Sequence, residues 1–105
     1  MLQYALIGTH PPDTCPLSNK SVREFVKKMM PELPKIAEGL GIKFLTQVIL
    51  EPSHKTLMIM EAPNAESVTE MSIKGGLQHF NDNELYVVQS IEEGMQRLDQ
   101  LPTIY

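Results

Sequence analysis

Residues 42–61 read IKFLTQVILEPSHKTLMIME, and the order of apolar side chains in this stretch decides the fold. Ile42 to Leu50 is rich in β-branched and aromatic residues and is closed by Pro52, the pattern of a strand that ends in a turn. Glu51 to His54, EPSH, supplies the turn, and Lys55 to Glu61, KTLMIME, returns as a second strand. The two form a hairpin. Within it Phe44, Val48 and Leu50 alternate with Leu45 and Ile49, and Leu57 and Ile59 alternate with Met58 and Met60. A strand with one wet face alternates apolar with polar residues, so apolar side chains in both phases predict a sheet covered on both faces.

Upstream of the hairpin, Leu2 to Thr9, LQYALIGT, is short and runs directly into the proline-rich stretch THPPDTCPLSN, residues 9–19. That predicts another strand followed by an irregular loop. Ser21 and Glu24 stand at capping-box spacing, and Val22, Phe25, Val26, Met29 and Met30 recur at steps of three and four, the period of an amphipathic helix. Pro31 and Pro34 each remove a helical donor and crowd the preceding turn, so this helix breaks near its middle before Gly39 and Gly41 end it. Downstream, Asn64 can cap a helix through AESVTEMSIKGG, with Val68, Met71 and either Ser72 or Ile73 turned inward. LQHFNDN is then a connector, LYVVQ (Leu85 to Gln89) a fourth strand, and Ser90 with Glu93 a second capping box. A last amphipathic helix runs through Ile91, Met95 and Leu98.

The resulting order, β-α-β-β-α-β with one appended helix, is an α+β arrangement of the ferredoxin-like, split βαβ type, in a single domain over residues 1–105. Four antiparallel strands would carry both main helices on one face. Since the strands are apolar on the other face as well, two such sheets packed face to face, a dimeric α/β barrel, would bury it.

Four segments carry a resemblance consistent with that reading. GTH at the end of the first strand, CPLSN in the loop, PELPKIAEGLGIK in the broken helix and IEEGM near the C-terminus together resemble a family of small dimeric α/β-barrel proteins, over almost the whole chain. The resemblance implies a homodimer or higher homo-oligomer. The wider superfamily spans cofactor-free monooxygenases acting on aromatic compounds, small isomerases, haem-degrading and haem-binding enzymes, and ligand-sensing domains. None of their catalytic residue sets is carried by this chain, so fold analogy leaves the activity open.

Composition narrows the partners. Thirteen acidic residues against nine Lys and Arg give a net charge of −4, with no basic stripe to neutralise phosphates, so nucleic acid is not an expected partner. MLQYALIGTH has neither a basic leader nor a small-residue cleavage site, and no apolar run approaches the ~18 residues of a membrane span. A soluble, cytoplasmic protein is expected, and the single cysteine agrees with a reducing compartment.

The loop holds the reactive side chains. His10 and Cys15 lie five residues apart, and an imidazole with a thiolate is a ligand pair suited to zinc or copper. A third ligand would come from His54, His79, Asp13 or a methionine. His54, in the hairpin turn, is the weaker choice if that turn lies at the opposite end of the sheet, whereas His79 in QHFN, in the connector before the fourth strand, is expected to face the same pocket or that of a partner subunit. In a catalytic version Cys15 is a nucleophile ahead of a helix start and His10 its base. Asn19 would then hold a ligand, as would His79; otherwise Asn19 closes the turn or caps the helix. Cys15-Pro16 also matches the dipeptide of some haem-responsive sites. The methionines fall at strand and helix spacing and read as packing, not ligands. Three readings stand: a pocket for a small apolar or aromatic compound needing no cofactor, catalytic or not; a zinc-, copper- or haem-binding protein built on His10 and Cys15; or a structural module.

Overall fold

The computed structural model describes residues 2–105. Its elements follow in chain order as β1 (Leu2–Thr9), α1 (Lys20–Met29), α2 (Leu33–Gly39), β2 (Lys43–Leu50), β3 (Lys55–Ala62), α3 (Ala65–Lys74), β4 (Asp82–Val88) and α4 (Ile91–Leu98). Short 3-10 turns cover Pro12–Thr14 and Leu77–His79. The four strands form one sheet in the order β2-β3-β1-β4, every neighbouring pair antiparallel. This α+β architecture is compatible with the ferredoxin-like fold. Among the described residues no helix is long and apolar enough to cross a membrane.

Why these residues form these elements is visible at the ends. Pro31 and Pro34 divide the first helical stretch into α1 and α2, with Pro34 sitting in the first turn of α2, where its missing N–H costs nothing. Asn64 accepts from Ser67 N at the start of α3, and Ser90 accepts from Glu93 N at the start of α4. The cap of α1, however, is Asn19, whose Oδ1 accepts from Val22 N, while Ser21 donates its hydroxyl to the same oxygen. The expected box at Ser21 and Glu24 gives way because the helix starts earlier, at Lys20: with Asn19 as the cap, Ser21 already lies inside the first turn. β4 begins three residues before Leu85, since Asp82, Asn83 and Glu84 find partners in Thr9, Gly8 and Ile7. Pairing with β1 outweighs their low strand propensity.

One face of the sheet carries the core. Tyr4, Leu6, Met58, Met60 and Ala62 pack there against Leu33 and Ala37 of α2, Val68 and Met71 of α3, and Ile42 and Leu77. Ser72, not Ile73, completes the inward side of α3, and its hydroxyl is satisfied by donating to Thr69 O at 2.8 Å. Gly76 ends this region at φ 72°, a left-handed conformation, and the ring of Phe25 from α1 occupies the space a Cβ would need. The register puts Ala5, Ile7, Leu57, Ile59, Val48, Tyr86 and Val88 on the opposite face. That face stays open in the single chain, with Val48 43% and Tyr86 49% exposed. Tyr86 donates to the carboxylate of Glu84, which lies two residues back on the same face, and this hydrogen bond and charge hold the phenol above its ordinary pKa. The apolar side of α4 is likewise uncovered: Ile91, Met95 and Leu98 are all exposed.

Met60 is completely buried where the sheet meets α2 and α3. Met60→Ala removes that packing and should lower unfolding free energy by ~2–5 kcal/mol, read from urea denaturation; a loss under 1 kcal/mol would mean the core collapses around the gap.

Candidate metal centre

β1 and β3 run antiparallel with Thr9 opposite Lys55, and β1 and β4 with Thr9 opposite Asp82. Continuing both registers by one residue sets His10 between His54 on one side and Asn81 on the other. The backbone follows this continuation, His10 N donating to His54 O at 3.1 Å. Alternation along β1 turns His10 to the face of Tyr4, Leu6 and Gly8, and there it is only 7% exposed. Its Nδ1 lies 2.8 Å from Asn81 Oδ1, also buried. An amide oxygen accepts only, so in the neutral imidazole Nδ1 carries the proton and Nε2 the lone pair. That Nε2 is buried and has no hydrogen-bond partner, an arrangement that costs roughly 1–3 kcal/mol unless something else uses the lone pair.

Cys15, 5% exposed, and His54, half-buried, gather with His10: one potential ligand atom from each of the three lies within 4.8 Å of the other two. Ligand atoms on one tetrahedral zinc ion stand about 3.3–3.6 Å apart, so closing on an ion asks for movements of about 1 Å at most. No fourth histidine, cysteine or carboxylate joins this group among the described residues. The rings of His10 and His54 meet edge to face at a centroid distance of 5.5 Å, and Phe80 covers His10 from another side at 5.9 Å. Because Nε2 has no partner, thiol and imidazole are not joined as a nucleophile and its base. They stand as separate donors around one point.

Local structure holds each donor. His54 has φ 54°, a left-handed conformation uncommon for a residue with a side chain; it lets one residue offer its carbonyl to His10 N and its imidazole to the same site. Gly8 leaves room for Asn81: a Cβ there would stand 2.8 Å from Thr56 Oγ1 and 3.0 Å from Asn81 Nδ2. Cys15 closes the 3-10 turn, its N donating to Pro12 O, and its own carbonyl accepts from Ser18 N and Asn19 N. Asn19 Nδ2 donates to Asp13 O at 2.9 Å, Ser18 Oγ to Pro12 O at 2.8 Å, and the guanidinium of Arg23 reaches back from α1 to the carbonyls of Pro16 and Leu17. With Pro11, Pro12 and Pro16 fixing φ, the loop is braced before any ligand arrives.

The predicted residues therefore part company. His10 and Cys15 converge with His54, which is at the same end of the sheet as the loop and not at the opposite one, because antiparallel β1 ends where β3 begins. Asp13 serves the loop through its backbone. Asn19 is the α1 cap, and His79 is not part of the cluster; it is exposed, its ring tilted against that of Phe25 at a centroid distance of 4.8 Å. With Ser21, Val22, Phe25 and Phe80 it lines an open cleft of about 190 Å³. Asn81, Arg23 and Gly8 are supporting residues that spacing alone does not disclose, though Asn81 is legible once β4 is extended to Asp82. No family model matches this chain, and no curated protein matches it.

A braced loop should keep the Cys15 thiol from reagents in the folded protein. Arg23→Ala, which frees two loop carbonyls, should raise its labelling rate about tenfold, the equivalent of one hydrogen bond at ~1 kcal/mol or slightly more; an unchanged rate would show that the prolines and Asn19 suffice.

Proposed function

We propose that the protein binds a borderline or soft transition-metal ion, zinc(II) or copper(I), through His10 Nε2, Cys15 Sγ and an imidazole nitrogen of His54. The observation that carries this reading is the convergence of one ligand atom each from His10, Cys15 and His54 within 4.8 Å, at a histidine whose buried Nε2 has no partner among the described residues. Two nitrogens and one sulfur match the preference of these ions over magnesium or calcium, which take oxygen. Asn81 completes the arrangement from outside: by accepting a hydrogen bond from Nδ1–H it fixes the tautomer that leaves Nε2 available, the usual task of the group behind a ligating histidine. The expected result is about one zinc ion per chain by elemental analysis after dialysis, lost in both His10→Ala and Cys15→Ser. Asn81→Ala should bind 10–100-fold more weakly with the stoichiometry kept. Unchanged zinc content in His10→Ala and Cys15→Ser would reject the site.

The working unit in this proposal is a homodimer built through the open face of the sheet. Its centre is apolar, and along β3 the face begins at Lys55 and ends at Glu61. A second copy turned antiparallel would bring each Lys55 to the other copy's Glu61, which makes the face self-complementary as a two-fold interface requires. Light scattering should give a dimer, and Ile59→Asp, at the middle of that face, should give a folded monomer with unchanged zinc binding. A monomeric parent protein would refute the assembly.

A second reading, a pocket for a small aromatic compound, is favoured by the cleft of Phe25, His79 and Phe80. Its volume is below the ~300–1,000 Å³ of most ligand sites, which limits any occupant to about a single ring.

A further inference from the structure

We infer that a zinc(II) ion held by His10, Cys15 and His54 keeps one coordination position open, and that a small anionic donor of the hydroxide or azide class takes it. This inference rests on the metal-binding reading above and adds to it the type of site. Zinc sites that serve only to hold a fold are closed by four protein ligands, whereas sites that do chemistry use three and leave a place for water or substrate. Here three donors converge, and among the described residues no fourth histidine, cysteine or carboxylate lies with them.

Burial tells from which side a fourth ligand would come. His10 and Cys15 are sealed, the first between Asn81 and Phe80 and the second inside the braced loop. His54 alone is half-exposed, at the tip of the hairpin turn. The open position therefore lies on the His54 side. Charge selects the kind of ligand. A divalent ion held by one thiolate and two neutral imidazoles keeps a single net positive charge in a largely buried setting, where an unbalanced charge is costly. An anion, or water made into hydroxide by the ion, removes that charge.

The test uses the full chain loaded with cobalt(II) in place of zinc, because its visible absorption reports the number and nature of the ligands. A thiolate-to-cobalt charge-transfer band that Cys15→Ser abolishes would establish the ion at this site. Titration with azide should then shift the visible ligand-field bands saturably while the charge-transfer band persists, as the anion enters without displacing Cys15. Ligand-field bands that stay fixed at high azide, with the charge-transfer band present, would overturn the open position and leave the metal site standing. Absence of a Cys15-dependent band would overturn both.

Discussion

The antiparallel ladder between β1 and β3 is the constraint on which the rest of the molecule depends. It lies at the centre of the sheet, runs without interruption from Leu2 opposite Ala62 to Thr9 opposite Lys55, and places Tyr4, Leu6, Met58 and Met60 on the face where α2 and α3 pack. Its last act is chemical. One residue beyond its final pair, the same two-residue alternation and the same register deliver His10 and His54 side by side, so the sheet that builds the core also measures out the positions of two nitrogen donors.

β4 contributes from the other edge of β1 in the same way. Asn81 reaches the Nδ1 of His10 because β4 pairs with β1 three residues further than its own apolar segment extends, and Gly8 leaves a space beside β1 that a larger residue would fill. The loop between β1 and α1 then needs only to bring Cys15 to a point already defined. Its hydrogen bonds from Ser18, Asn19 and Arg23 all end on loop carbonyls, which is how a stretch with no regular ladder can still hold a side chain in place.

Much of this was legible in the chain itself. The strand pattern of residues 42–61, the two prolines that divide α1 from α2, and the caps at Asn64 and Ser90 are local signals, and the structure follows them. His10 and Cys15 were visible as a pair because they are close in sequence. The third donor was legible only as the weaker of several candidates: His54 is linked to them through the pairing of β1 with β3, a contact between distant segments that no periodicity within either one specifies. The role of Asn81 is hidden for the same reason, and behind a second obstacle, since Asp82, Asn83 and Glu84 are poor strand formers taken into β4 by a neighbour. Ser72 and Ile73 could not be separated by spacing, because both fall within the arc of helix that faces inward.

The left-handed backbone of His54 has a consequence for how such a site could come and go. Glycine and asparagine adopt φ near +54° at least as readily as histidine, so either could replace His54 and leave the turn, the carbonyl that receives His10 N and the strand register intact. A lineage could therefore discard or regain the second imidazole by a single substitution without passing through a misfolded ancestor. Loss of His10 has no such neutral route, because its place is buried and its ring is held on three sides. Of the two histidines, then, one is tied to the architecture and the other is free to vary, which makes the hairpin turn the position at which this scaffold is most evolvable.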